Sequence, residues 1–133
     1  LSNFQDMNFE VFPHEKYVLI RSKVEKLDTG HAPELKSLVV FHNKEGVRNI
    51  IIDLSDTRYC DSSGLSSILV ANRLCRSSNG SFVLTGLQEP VMKLITISQL
   101  HTVISITPTA NEASDLVLME EVERELTSDD ENQ

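Results

Sequence analysis

The segment Asp61, Ser62, Ser63 and Gly64 is the part of the sequence best suited to chemistry, because an acid and two hydroxyls adjoin a glycine. It follows a β-branched run and precedes a helical apolar pattern, so we expect a strand-to-helix loop. The first turn of a helix leaves about four backbone amides without partners and adds partial positive charge, which favours an anion. Asp and Ser are also common helix caps, worth about 1 kcal/mol without any activity.

The number of hydroxyls in this segment favours a site over a simple cap. One capping contact uses one side chain, so a second serine beside the glycine is available to another protein. Phosphorylation of such a serine would add roughly −1.5 to −2 charges and three acceptor oxygens. That charge is favourable at the start of a helix and repulsive toward Asp61 or an acidic partner. The segment therefore predicts a site of reversible phosphorylation.

Strands and helices are predicted to alternate along the chain that positions this segment. Residues 9–12 and 17–21 are β-prone and spaced as a hairpin, and Ile50, Ile51 and Ile52 indicate a central strand covered on both faces. The remaining predicted strands are residues 47–54 (which include these isoleucines), 81–85 and 103–107. Helices are predicted from Pro33 to near Gly46, over residues 65–75, from Pro90, and after a capping box at Thr109 and Glu112 that leads to Ala113, Leu116, Val117 and Leu126.

This order predicts an α/β fold with a mixed sheet, in which an antiparallel N-terminal hairpin adjoins parallel strands joined by right-handed crossovers. In such sheets the functional loops lie beyond the carboxyl ends of the strands. We therefore expect residues 26–32, 55–64 and 86–90 to share one face of the molecule.

Composition limits the kind of protein and its partners. A chain of 133 residues predicts one domain, placed at residues 9–126, followed by an acidic disordered tail at residues 127–133. With 12 basic against 20 acidic residues the net charge is −8, which disfavours direct binding of nucleic acid. Unbroken apolar runs reach only four residues, as at 17–20, so no membrane span is expected.

The two cysteines, Cys60 and Cys75, are too few for a disulfide framework, and no Cys/His cluster has the spacing of a metal site. We expect both thiols to be packed and inert, with Asp61 raising the pKa of Cys60. A reducing cytoplasm is the expected location.

The central stretch IIIDLSDTRYCDSSGLSSIL resembles the core motif of the STAS family, the anti-sigma factor antagonists. KLDTGHAPEL resembles the family's first loop and helix. GSFVLTGLQEPVMKLITISQLHTVISITPTANEA resembles its last two strand and helix units. The resemblance covers roughly residues 9 to 118, in order, whereas Glu25, Ser66 and Gln99 stand where the family often has glycine.

The resemblance implies a bacterial partner-switching protein. Ser62 would be the serine phosphorylated by an anti-sigma factor that is also a serine kinase, and a serine phosphatase would restore it. The unphosphorylated form would bind the anti-sigma factor and so release a sigma factor. Asp28 matches the acid of the family's first loop and is expected close to Ser62. Asp28, Asp61, Ser62, Ser63 and Gly64 would form the partner-binding surface, with Asp61 either orienting the acceptor or simply capping the helix.

An enzyme is the less favoured interpretation. A GxSxG elbow would need glycine where Cys60 or Asp61 stands, and only His31 lies in a loop that could approach Ser62 as a base. Asp53 lacks the paired acids of a receiver domain and is interpreted as a strand-end residue. No GxxxxGK[ST] sequence is present. We expect no cofactor and no metal, although the resemblance leaves room for weak nucleotide binding.

The STAS family also includes proteins that are not anti-sigma factor antagonists. STAS domains act in stressosome scaffolds, on the cytosolic ends of anion transporters and as small subunits of lipid transporters, and the fold alone does not separate these assemblies. A short chain carrying the DSSG acceptor favours partner switching over a transporter tail, which would be fused to membrane helices.

Overall fold

The computed structural model describes residues 8–131, with side chains described for residues 8–128. The strands are β1 (Phe9–Pro13), β2 (Val18–Ser22), β3 (Lys26–Leu27), β4 (Ile50–Asp53), β5 (Tyr59–Cys60), β6 (Phe82–Thr85) and β7 (Ser105–Thr107). The helices are α1 (Ala32–Lys44), α2 (Ser62–Ser77), α3 (Glu89–Ile97) and α4 (Ala110–Glu131), with a short 3-10 helix at Leu100–Thr102.

The main sheet has five strands in the order β1-β2-β4-β6-β7. Strands β1 and β2 form an antiparallel hairpin, with Val11 opposite Ile20. The other three pairings are parallel. The predicted α/β class, with its antiparallel N-terminal hairpin, is confirmed. A second sheet, in which β3 and β5 pair in parallel, was not predicted.

Helices cover both faces of the main sheet. Ile50 and Ile52 pack in a core with residues of α1, α2 and α3, whereas Ile51 packs with Val83 and with Ala113 and Val117 of α4. All three isoleucines have no exposed surface. Because successive side chains of a strand point to opposite faces, a continuous apolar run is what a doubly covered strand requires. The prediction of a central strand at these residues is confirmed.

The buried carboxylate of Glu121 links α4 to the end of the sheet at which the parallel strands begin. Glu121 is 5% exposed and accepts hydrogen bonds from Arg48, Asn49 and Arg124 at 2.8 to 3.1 Å. Burial alone would raise the pKa of this carboxyl, but the three donors and the charge of Arg48 lower it to about 2. Glu121 is therefore ionised at neutral pH and paired on both sides.

Two strands begin two or three residues later than predicted. Strand β4 begins at Ile50 rather than at residue 47. In the preceding Asn49, the side-chain NH₂ donates to the Lys16 carbonyl and the side-chain oxygen accepts from the Ser81 backbone amide. Strand β7 begins at Ser105 rather than at residue 103, because the preceding residues complete the 3-10 turn at Leu100–Thr102.

Helix α4 differs from the predicted end of the domain. The Glu112 amide donates to the Thr109 hydroxyl, as predicted for the cap, but the Glu112 carboxylate accepts from that hydroxyl instead of reaching the backbone. The helix continues to Glu131, so residues 127–131 are helical where a disordered tail was predicted. Neither glycine nor proline interrupts residues 110–131, which allows this extension.

The apolar face predicted for α4 is also only partly correct. Ala113 and Val117 are buried, but Leu126 is 60% exposed and lies outside the core. Residues 132–133 lie outside the described residues. The division of the chain at residue 126 stays a prediction.

Candidate functional site

The short pairing of β3 with β5 brings two loops together. Leu27 pairs with Cys60, and the Asp61 amide donates to the Leu27 carbonyl across 3.3 Å. Because the strands are parallel, residues 28–31 and residues 61–63 leave the same end of this small sheet. The third predicted loop is linked to them through Gln88, whose side-chain amide donates to the Ser55 carbonyl at 2.7 Å. The three loops share one face, as predicted.

Asp61 is the cap of α2. Its backbone is extended (φ −105°, ψ −171°), and its Oδ1 accepts from the Gly64 amide at 3.0 Å. The Leu65 amide donates to the Asp61 carbonyl, which starts the helix. A capping aspartate satisfies one of the amides that the first turn leaves free. Of the two roles considered for Asp61, capping is what the structure displays, and contact with a partner stays a prediction.

Ser62 and Ser63 differ in environment although they are neighbours. Ser62 is the first residue of α2 and is exposed, and its hydroxyl has no hydrogen-bond partner among residues 8–128. Ser63 is half-buried, and its Oγ lies 3.4 Å from Oγ1 of Thr29. The free hydroxyl is therefore that of Ser62, the acceptor that the family resemblance implies, and not that of Ser63, the serine beside the glycine. Its modification remains a prediction.

Thr29 is a site residue that the sequence reasoning missed. Its hydroxyl donates to Oδ2 of Asp61 at 3.4 Å and also faces the Ser63 hydroxyl, so it joins the two loops. The residue lies in the predicted loop 26–32, but a threonine in a loop carries no signal of a contact 32 residues away. The contact depends on the pairing of β3 with β5, which was not predicted.

Asp28 lies beside Asp61 rather than beside Ser62. Its Oδ1 accepts from the Gly30 amide at 3.0 Å and lies 3.1 Å from Nδ1 of His31. Asp28 and Asp61 line one shallow depression of about 400 Å³, and Ser62 lines a different one. The expected proximity of Asp28 and Ser62 thus holds at the level of the loops, without a contact between the two side chains.

His31 is directed away from the serines. Its Nδ1 also lies 3.0 Å from the Lys26 carbonyl, which can only accept, so this nitrogen carries the proton. The imidazole thereby bridges the backbone and Asp28. The structure does not place it as a base beside Ser62.

Gly64 is required by close packing. A Cβ at this position would collide with the Leu27 carbonyl oxygen and with Sγ of Cys60. The start of α2 can therefore lie against β3 and β5 only without a side chain here. Burial, and secondarily the charge of Asp61, raises the pKa of the Cys60 thiol to about 12, so the thiol is neutral at physiological pH. Cys75 is fully buried in α2, as predicted.

A second depression, of about 430 Å³, lies between the first turns of α1 and α2. It contains four serines, a threonine and one charged side chain, and its lining residues are Thr29, Ala32, Pro33, Lys36, Ser37, Ser62, Ser63 and Ser66. It is open and shallow, and it lacks an enclosed apolar pocket for a base. Its chemistry is that of a hydroxyl-rich surface beside one ammonium group.

Three further observations concern possibilities considered at the outset. Asp53 ends β4 and accepts from the Ser55 amide at 2.9 Å, as expected of a strand-end residue. Among residues 8–128, no three His, Cys, Asp or Glu side chains are grouped so as to hold a metal ion. None of the helices described in residues 8–131 has the length and apolar composition needed to cross a bilayer.

Together the fold and this loop arrangement match a known family. The STAS domain family matches residues 11–113, which is most of the chain, and the chain belongs to that family. The hairpin from Val11 onward, the parallel strands and the DSSG segment at the start of α2 lie within the matched residues.

Several proteins similar to this chain are named as anti-sigma factor antagonists. The anti-sigma-B factor antagonist of Listeria monocytogenes is 34% identical over 82 residues, which cover 61% of this chain and 71% of that protein. The crystal structure of a Thermotoga maritima protein assigned as an anti-sigma factor antagonist has a TM-score of 0.74 and 25% identity, covering 82% of this chain and 93% of that one. The phosphorylated form of the Bacillus cell fate determinant SpoIIAA shares the fold, with a TM-score of 0.66 and 23% identity over 82% of this chain and 98% of that one.

Proposed function

We propose that this protein is an anti-sigma factor antagonist whose binding to an anti-sigma factor kinase is controlled by reversible phosphorylation of Ser62. The observation that carries the proposal is the exposed Ser62 hydroxyl, free of hydrogen bonds to the described residues, at the start of α2. The relatives named as anti-sigma factor antagonists and the phosphorylated form of SpoIIAA support it.

The unphosphorylated protein binds the anti-sigma factor and so frees the sigma factor. Asp28 and Asp61 line one depression beside Ser62 and contribute the acidic part of this contact surface. Ser63 and Gly64 hold the start of α2 in place beneath it, through the contact with Thr29 and through close packing on β3 and β5. The protein acts as a binding module in the cytoplasm, with the catalytic groups supplied by its partner.

Phosphorylation reverses this binding. The Ser62 oxygen attacks the γ-phosphorus of ATP held by the partner kinase, its proton passes to a base of that kinase, and ADP leaves. A serine phosphatase hydrolyses the ester and restores the hydroxyl. The new dianion lies next to the Asp61 carboxylate, so the negative charge of the docking surface rises sharply. A hundredfold loss of affinity requires only about 2.7 kcal/mol, which repulsion and desolvation of one phosphate can supply.

The first experiment tests the acceptor. The protein is incubated with ATP and with an anti-sigma factor kinase of the same organism, and the modified residue is mapped by mass spectrometry. We expect one phosphate on Ser62, none in Ser62→Ala, and unchanged incorporation in Ser63→Ala. The neighbouring half-buried serine is the matched control. Phosphate on Ser63 alone, or on neither serine, would contradict the proposal.

The second experiment tests the electrostatic mechanism. Binding of the anti-sigma factor is measured for the wild type, Ser62→Ala and Ser62→Asp by calorimetry. We expect Ser62→Ala to bind within a few-fold of wild type, because only a hydroxyl is lost. Ser62→Asp is expected to bind at least tenfold more weakly because it adds a charge. Equal affinity of the wild type and Ser62→Asp would count against repulsion as the cause.

A further inference from the structure

The surface around Ser62 is asymmetric in charge. On one side lies the depression that Asp28 and Asp61 share with Lys26. On the other side, Ser62 itself lines the depression between α1 and α2, where Lys36 is the only charged residue among the eight lining residues. An anion attached to Ser62 therefore has two carboxylates and the Lys26 ammonium group on one flank, and on the other flank the Lys36 ammonium group without a carboxylate among the lining residues.

Lys36 is available for such an anion. It is exposed in the second turn of α1, and its ammonium group makes no ion pair within 4.0 Å with any carboxylate in residues 8–128. Lys23, by comparison, is paired with Glu10 at 3.5 Å. The other charged groups of this surface are Asp61, which caps Gly64, Asp28, which faces His31, and Lys26, which shares its depression with both carboxylates.

We propose that Lys36 binds the phosphoryl group of phosphorylated Ser62 and holds it over the depression between α1 and α2. This inference rests on the proposed phosphorylation of Ser62 and adds the residue that receives the phosphate within the same chain. The phosphate turns toward Lys36 because repulsion from Asp61 and attraction by the ammonium group act in the same direction. Both side chains line the same depression, and the lysine side chain is exposed and has four rotatable bonds.

The contact alters a property of the phosphate that can be measured. A nearby cation favours the dianion over the monoanion, so it lowers the second pKa of the phosphoserine. At an exposed site we expect Lys36 to lower that pKa by about half a unit at low salt, because solvent weakens the interaction. Half-molar salt should remove most of the difference.

The test uses phosphoserine encoded genetically at position 62 of the full chain, titrated by ³¹P NMR. The variants are Lys36→Gln, Lys36→Arg and Lys44→Gln, the last being an exposed lysine eight residues further along α1. We expect the phosphate pKa to rise by about half a unit in Lys36→Gln, and to stay at the wild-type value in Lys36→Arg and in Lys44→Gln.

Equal values in the wild type and Lys36→Gln would overturn the inference. So would the same rise in Lys44→Gln, because that variant reports net charge alone, and so would a rise in Lys36→Arg, which keeps the charge. Encoding the phosphoserine separates this inference from the proposed function. A kinase that leaves Ser62 unmodified contradicts the function, whereas an unshifted titration contradicts only the contact with Lys36.

Discussion

The Thr29 hydroxyl donates to the Asp61 carboxylate across 3.4 Å and so joins two loops that are 32 residues apart in the chain. The same hydroxyl lies 3.4 Å from that of Ser63. Both contacts are long and exposed, and such hydrogen bonds contribute little to stability because water competes for the same groups. They join the loop of Thr29 to the first turn of α2, next to the proposed docking surface around Ser62.

Replacing Thr29 by valine is expected to weaken binding of the anti-sigma factor several-fold. The free energy of unfolding should fall by less than about 1 kcal/mol, since the lost hydrogen bonds are exposed. Thr29→Ser keeps the hydroxyl and serves as the control, with near wild-type binding. Calorimetry and urea denaturation measure the two quantities. Wild-type affinity in Thr29→Val would show that the junction between the loops does not shape the surface.

Replacing Asp61 separates its cap from its charge. Asp61→Ala removes the bond to the Gly64 amide and is expected to lower the free energy of unfolding by about 1 kcal/mol. Asp61→Asn keeps an acceptor oxygen, so its stability should stay close to wild type. Urea denaturation distinguishes the two variants. Equal losses in both would assign the stabilisation to the negative charge near the helix start instead of the capping bond.

Adding a methyl group at Gly64 is expected to destabilise the protein. In Gly64→Ala the new Cβ meets the Leu27 carbonyl and Cys60 Sγ, and overpacking of this kind costs about 1 to 3 kcal/mol. The matched control is Gly30→Ala in the adjoining loop, where the nearest atom to a new Cβ is Asp28 Oδ1 at 3.4 Å, an ordinary contact. We expect urea denaturation to show a lower free energy of unfolding for Gly64→Ala but not for Gly30→Ala. Similar unfolding free energies for the two variants would mean that β3 and β5 shift to accommodate the added methyl group at little cost.

Acid should destabilise the protein through Glu121. Its pKa is lowered from 4.5 to about 2 in the folded state, so the folded state binds this proton less readily than the unfolded state. The stabilisation is therefore complete above about pH 4.5 and is lost as the pH falls toward 2. A shift of this size corresponds to about 3 kcal/mol.

The check is the pH dependence of urea unfolding in Glu121→Gln against the wild type. The difference in unfolding free energy should be large at pH 7 and shrink steadily below pH 4.5. Glu123→Gln, an exposed position on the same helix, should stay within about 0.5 kcal/mol of wild type. A constant difference between Glu121→Gln and wild type across this range would be incompatible with the lowered pKa.

Much of the fold could be predicted because the residue patterns that indicate it lie within short stretches of the sequence. The β-branched run Ile50 to Ile52 indicated a strand covered on both faces, and Thr109 with Glu112 indicated the start of α4. The loop containing Asp61 and Ser62 was identified for the same reason, since the residue types that cap a helix are adjacent in sequence. The resemblance to the STAS family, which the comparison confirms, predicted the same order of loops and helices.

What the sequence did not predict depends on contacts between distant residues. Strands β3 and β5 are two residues long, too short for any alternation of apolar and polar side chains. The contact of Thr29 with Asp61 follows from their pairing and was missed with it. Glu121 lies in a strongly acidic stretch and had no local sign of burial, because one of its partners, Arg48, is 73 residues away.

The direction of α4 has a practical consequence. The helix starts just after β7, at the end of the sheet where the Ser62 loop lies, and runs back until Glu121 and Arg124 meet Asn49 and Ser81 at the opposite edge. A fluorophore coupled to a cysteine introduced at the exposed Ser128 would therefore lie at the far pole of the molecule. It would report tumbling and complex formation while leaving the phosphate acceptor uncovered.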